Sequence, residues 1–271
     1  MIKQAIIPLA GLGTRLLPLT SVFAKELLPI NGKPGIEYIL DECIEAGIKE
    51  VIFIISKKKI MIKKYFYNDK FYKDIIKKKK DPRIIAEYKK ILKYKKMIKF
   101  VFQDKPLGTG DAVLKTKKFI KDKFFLMLLP DDLIIKKNCS KSMIHIHQKF
   151  KSSVMASMKV NKKDVSRWGI YNIKNTIDNR NFIIKSVVEK PTIKQAPSNN
   201  AVIGRYILPK TIFNKLMNIK PSKGGEIHIT DAIQLLINDN NNFIGHNFSG
   251  TYLDCGTMSG YINSTLEIAN K

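Results

Sequence analysis

The chain of 271 residues is 44% hydrophobic and sets 49 lysines and arginines against 23 carboxylates, a net charge of +26 at neutral pH. That length and apolar content suit one large α/β domain with a sizeable core. No run of 18 apolar residues occurs, which excludes a membrane-spanning helix, and the first residues lack the apolar stretch of a secretory signal, so a cytoplasmic protein is expected. Cys43, Cys139 and Cys255 are far apart and form no CxxC pair, so free thiols are expected. The four histidines have no metal-ligand spacing either.

Residues 2–9 are a continuous apolar run ended by glycines, which predicts a buried strand. The stretch AGLGTRLLPLTSVFAKELLP (10–29) follows directly. As a dinucleotide fingerprint it fails, because Leu16 stands where the third glycine belongs and the next strand ends in Ser56-Lys57 with no acid for a ribose. A Walker loop is absent too, since Gly32-Lys33 runs into Pro34. A bare turn would use the glycines but gives no reason for Arg15 and Lys25. The remaining reading is a loop whose backbone N–H groups face phosphates, with two cations in reach.

Apolar residues Ile36, Ile39, Leu40, Cys43 and Ile44 recur at helical spacing, predicting a helix over 34–47 with Pro34 at its start and Gly47 as its stop. VIFIIS (51–56) predicts a second buried strand. Residues 57–99 hold 17 lysines and one arginine against four carboxylates, a net +14, and predict helices broken at Asp81-Pro82. Tyr65, Phe66, Tyr67, Phe71, Tyr72, Tyr88 and Tyr94 interleave with this charge, as in a single-strand nucleic-acid binder. Yet only five of the basic residues are arginine, and the abundance of Lys, Ile and Asn points to biased coding, so a solvated helical face is the plainer reading.

A strand at 99–103, a glycine loop at 106–110, a helix from about Asp111 and a strand at 124–132 come next. The alternation predicts a mainly parallel sheet flanked by helices. Short strands at about 153–160, 169–173, 182–189 and 201–208, then helices near 209–218 and 226–238, predict a mixed extension of that sheet. Ligands of such sheets lie beyond the carboxyl ends of the strands. Three ends are chemically unusual: the Gly11–Arg15 loop, Gln103 with its glycine loop, and Asp131-Asp132. Asp131 suits a Mg²⁺ ion shared with substrate phosphates, and Asp254 in YLDCGT is a possible second carboxylate.

Taken together, AGLGTRLLP, KELLP, LLPDD, VVEKP, APSNNAVIGRY, GEIHITDAI and LDCGT resemble, in order and over nearly the whole chain, the sugar nucleotidyltransferases, and among them the uridylyl-transferring branch. The resemblance implies a Rossmann-like mixed sheet in one domain spanning 1–271, with 57–99 as a basic helical insertion and about 153–256 as the sugar-binding extension. It implies UTP and glucose 1-phosphate as substrates, UDP-glucose as product, Mg²⁺ as metal and a homo-oligomer, dimer or tetramer. Carried over by motif, Ala10, Gly11 and Gly13 would lie against the nucleotide, with Arg15 and Lys25 on the triphosphate. Gln103 would read the uracil edge with an amide that both donates and accepts. Gly108 would let the backbone approach the base, and Asp131 and Asp254 would hold the metal. Gly169 would admit the sugar, Glu189 would accept from its hydroxyls, and Lys190 would grip the sugar phosphate. Thr109 and Asp111 depart from the Leu and His more often found in this loop, and Gly35 and Glu37 depart in the first helix; these bear on fine specificity. Three alternatives remain: a nucleotidyltransferase for another sugar or nucleotide, a paralogue that binds without turnover, and a basic nucleic-acid-binding protein.

Overall fold

The computed structural model describes residues 2–222 and 224–270. One nine-stranded mixed sheet runs through it, in the order Ile98–Phe102, Glu50–Ile55, Gln4–Pro8, Phe124–Leu128, Asn200–Pro209, Ser153–Lys159, Phe243–Asn247, Asn181–Glu189, Gly169–Thr176. The first four are parallel to one another, as the alternating pattern requires. Asn200–Pro209 then runs antiparallel to both of its neighbours and turns the sheet into the expected mixed extension.

Alternate side chains of the central strands feed two cores, one on each face. Ile7, Phe53, Leu126 and Leu128 pack on one side against the helix Gly35–Glu45, through Ile36, Ile39 and Leu40. Ile6, Ile52, Ile54 and Met127 pack on the other with Val113, Phe213 and Ile233. The first helix lies inside its expected span, and Gly47 ends it at φ +84°, a conformation that costs other residues about 1 kcal/mol or more.

The basic segment forms Ile60–Tyr67, Asp69–Lys79 and Pro82–Met97, broken where expected. Asp81 caps the third helix by accepting from the Arg83 N–H at 2.8 Å, and Pro82 fills the first helical position. Its aromatic residues mostly turn inward: Phe66 and Tyr94 are buried, and Tyr72 stacks on Tyr88 at 5.1 Å. Tyr67 and Phe71 stay exposed, while Tyr65 and Tyr72 are half-buried against the core, so most of these rings serve the fold. Glu37, at one of the departing positions, anchors this segment; it accepts from the Tyr65 hydroxyl at 2.5 Å and pairs with Lys90.

Elsewhere the structure shifts or adds elements. The strand expected over 124–132 stops at Leu128, because Pro130 has no N–H to continue the ladder. Asp132–Ile135 instead forms a two-stranded ribbon with Thr251–Asp254. The helix expected from Asp111 begins at Gly108, where the glycines pack on the backbone of Ile227. The later helices are Ile212–Leu216 and Ile229–Asn238, shorter than expected. The strand Phe243–Asn247 and the helices Cys139–Phe150 and Met258–Ala269 were not foreseen. The cysteines are free, with Cys43 and Cys139 buried, and no described helix is long and apolar enough to cross a membrane.

Candidate active site

The loop after the first strand is built from short turns. Gly13, at φ +72°, introduces the turn Thr14–Leu16, which buries Leu16 and leaves the Arg15 side chain 66% exposed. The Thr20 hydroxyl donates to the Gly13 carbonyl at 2.9 Å and closes the loop on itself. A further turn, Lys25–Leu27, sends neighbouring side chains opposite ways. Lys25 reaches the site, while Glu26 turns inward to a buried pair with Lys59 at 2.7 Å. Lys59, in the turn just before the first helix of the basic segment, thus pairs with the acid beneath the loop.

Lys25 Nζ lies 2.8 Å and Arg15 Nη2 3.4 Å from the same Asp131 oxygen, Oδ2. Burial alone would lower the Lys25 pKa, but the Asp131 and Glu26 carboxylates raise it above the ordinary lysine value. Burial likewise opposes ionisation of Asp131, but Lys25 and then Arg15 hold its pKa below the ordinary carboxylate value. Lys25 and Asp131 are therefore held in their charged forms. Asp132 behaves differently: burial and the charge of Asp131 push it up to about 6. It accepts from the Gly204 N–H at 2.8 Å and from the Tyr252 hydroxyl at 2.6 Å, which fixes the ribbon to the sheet.

That ribbon brings Asp254 beside Asp131. The Cys255 N–H donates to the Asp131 carbonyl at 2.7 Å, and Gly256 donates to Asp254 Oδ1 at 2.8 Å. A Cβ built on Gly256 would stand 2.8 Å from Asp131 Oδ2, 3.1 Å from Arg15 Nη2 and 3.2 Å from Asp254 Oδ1. Two carboxylates and a guanidinium therefore converge on a space that only glycine leaves open. Among the described residues no cluster of three or more His, Cys, Asp or Glu could hold a metal by itself.

Two adjoining cavities open here. One, about 520 Å³, is lined by Ala10, Gly11, Gly13, Lys25, Gln103 and Gly108, the whole expected nucleotide set with one of the two cations. The other, about 560 Å³, is lined by Arg15, Asp254, Gly169 and Glu189, with Trp168 and Asp132. Asp131, Thr109, Leu129 and His228 line both. Gly169 faces Glu189 across paired strands, and a side chain at Gly169 would meet the Glu189 carboxylate at 3.0 Å. Lys190 lines neither cavity; it is exposed, at φ +44°, with its N–H bonded to the Trp168 carbonyl at 2.9 Å.

The nucleotidyl transferase family model matches residues 4–271. The chain belongs to this family. It is 37% identical over 270 residues to the UTP–glucose-1-phosphate uridylyltransferase of Bacillus subtilis, covering 99% of this chain and 91% of the relative. The protein of the same name from Mycoplasma genitalium is 35% identical over 270 residues, covering 98% and 91%. Among solved structures, a UTP-bound UGPase from Acinetobacter baumannii superposes with a TM-score of 0.90 at 33% identity, covering 99% of this chain and 93% of that one. A UDP-glucose pyrophosphorylase complexed with UDP-glucose gives 0.87 at 34% identity, covering 100% and 99%. The mixed α/β nucleotidyl transferase fold is thus established for this chain.

Within that family fold, two sequence expectations change in detail. The Gln103 amide does not offer both a donor and an acceptor: its NH₂ is taken by Asp111 Oδ2 at 2.7 Å and the Gly108 carbonyl at 3.1 Å. Gly108 is demanded by the protein itself, since at φ +90° a Cβ there would stand 2.5 Å from the Ile227 carbonyl. Sequence reasoning also missed Arg205. Fully buried, it pairs with Glu42 at 2.8 Å and donates to the carbonyls of Leu129 at 3.1 Å and Asp132 at 2.6 Å, on either side of Asp131. One guanidinium thereby clamps the turn that presents the central carboxylate. The only signal was the unusual Arg within GRY, in an otherwise apolar strand.

Proposed function

We propose that this family member transfers the uridylyl group of UTP to glucose 1-phosphate, releasing pyrophosphate and forming UDP-glucose. The observation that carries the reading is that the two adjoining cavities meet at Asp131, with Lys25 on one side and Arg15 and Asp254 on the other. The full-length likeness to proteins named for this reaction supports the substrate pair. We read the chain as one nucleotidyltransferase domain, with 57–99 an appendage and about 153–256 forming the sugar side.

No protein nucleophile is required, because a sugar phosphate is largely dianionic at neutral pH. Its oxygen attacks the α-phosphorus of UTP and pyrophosphate leaves. The difficulty is to bring two polyanions together, so positioning and charge stabilisation dominate. In our reading Gly11, beside which a Cβ would meet nothing within 4 Å, leaves room for the nucleotide against Ala10 and Gly13. Lys25 and Arg15 bind the triphosphate, and Gln103 and Gly108 the base. Gly169 and Glu189 hold the sugar, and Lys190, next in sequence to Glu189 but lining neither cavity, is assigned to its phosphate by motif. Asp131 and Asp254 would hold Mg²⁺: two carboxylates flanking an open space suit a hard cation completed by phosphate oxygens and water. When bound, that ion would neutralise phosphate charge. We also read the protein as a cytoplasmic homo-oligomer, a dimer or tetramer.

The test is pyrophosphate release with Mg²⁺, crossing UTP, dTTP and CTP with glucose 1-phosphate and N-acetylglucosamine 1-phosphate. UTP with glucose 1-phosphate is expected to lead, and Arg15→Ala to lower that rate about 10²- to 10³-fold. Release only with other pairs overturns the substrate assignment, and an unaffected Arg15→Ala overturns the site.

A further inference from the structure

We infer that Asp111, which lines neither cavity, sets the base selectivity of this enzyme by fixing which end of the Gln103 amide faces the nucleotide. The inference rests on the reading above that Gln103 meets the base. Gln103 is 4% exposed and lies at the cavity wall, so its amide has two possible orientations and little freedom between them. Behind it stand two acceptors, the Asp111 carboxylate, whose other oxygen pairs with Lys115, and the Gly108 carbonyl. Both demand the NH₂ end. The opposite orientation would set the amide oxygen against two acceptors inside a buried site, which is strongly disfavoured. Asp111 is itself held, through Oδ1, by Lys115 one helical turn on, at 3.5 Å. The chain Lys115–Asp111–Gln103 therefore leaves Oε1, for which no described residue is a partner, as the group presented to the cavity.

An obligate acceptor at this place discriminates by the base edge. Uracil and thymine carry an N3–H that donates to it, whereas cytosine has a lone pair at N3 and would face acceptor with acceptor. A site built to satisfy one polar pattern rejects the other because groups are left unpaired. An uncharged side chain at 111 would relax this: Asn can serve either amide orientation, and Leu makes no demand on it. Asp111 acts through Gln103 and is a positioning residue.

The measurement is kcat/KM for UTP, CTP and dTTP, by pyrophosphate release at saturating glucose 1-phosphate, in wild type, Asp111→Asn, Asp111→Leu and Gln103→Ala. Melting curves identify any variant that fails to fold; the near-isosteric Asp111→Asn is the variant chosen to retain the fold. The expected result is a fall of about tenfold or more in the UTP-to-CTP ratio for both Asp111 variants. The UTP-to-dTTP ratio should not move, since those bases share the N3–H. A purely structural role would lower all three nucleotides together and leave both ratios unchanged, which overturns the inference. If Gln103→Ala keeps the wild-type UTP-to-CTP ratio, the base is read elsewhere and the parent reading fails. If Gln103→Ala loses discrimination while folded Asp111→Asn retains it, only the role of Asp111 is wrong.

Discussion

Replacing Gly256 by Ala puts a single methyl group where Asp131, Arg15 and Asp254 converge. Its Cβ would lie 2.8 Å from Asp131 Oδ2, so that oxygen must retreat by about half an ångström to reach ordinary contact distance. The same Asp131 oxygen is the one held by Lys25 and Arg15, so the retreat disturbs all three groups. Misplacement of this order at a reacting centre costs about 10²-fold in rate, or about 2.7 kcal/mol of transition-state stabilisation. The fold should barely notice. Gly256 does not occupy the left-handed region, and the crowded atoms are ends of side chains, so a stability change within about 1 kcal/mol, or a few degrees in Tm, is expected. The assay is pyrophosphate release against Mg²⁺ concentration, with a thermal melt in parallel. A Gly256→Ala enzyme within about threefold of wild type at every Mg²⁺ concentration would refute the assignment of Asp131 and Asp254 to the metal.

Other expectations are simpler. Glu42→Gln leaves the buried Arg205 charge uncompensated and should cost about 3–5 kcal/mol by chemical denaturation, whereas the double change Glu42→Gln with Arg205→Met should be less destabilising than the sum of the two single changes. Glu37→Gln weakens the hold of the first helix on Tyr65 and Lys90, and hydrogen exchange should speed up over 60–97 more than in the central strands. His246 has its pKa lowered to about 4, by burial and then by the Arg180 charge. Because the unfolded value is higher, near 6.5, the folded state binds fewer protons between these limits, and stability is lost as pH falls from about 6.5 to 4. Tm should therefore drop less over that window in His246→Asn than in wild type; an equal drop would show that His246 is not the group concerned.

The strands nearest the start of the chain were legible because each is a buried apolar run closed by glycine or a polar end, and Gly47 and Asp81-Pro82 marked their helix boundaries by local backbone chemistry alone. The strand Phe243–Asn247 was not, since five residues beside a run of asparagines give no periodicity, and its neighbours in the sheet are distant in sequence. In the site, Arg15, Lys25, Gln103 and Asp131 stand at strand ends or in a short motif, where polar residues beside apolar runs attract notice. Arg205 lies within a strand and reads like an outward-facing charge until the sheet order places Glu42 beneath it. The orientation of the Gln103 amide depends on Asp111, eight residues away across a glycine loop, a contact that no spacing rule predicts.

The ribbon that pairs Asp132–Ile135 with Thr251–Asp254 also has a bearing on biosynthesis. The first loop, Gln103 and Asp131 emerge early from the ribosome, whereas Glu226 and His228, which line the same cavity, come late; N-terminal portions of a chain are made and begin to fold first. The second carboxylate comes with one of the last strands. A nascent chain thus carries the first loop and its two cations long before it carries the second carboxylate beside Asp131, and the paired-carboxylate arrangement is completed only after Asp254 has been made.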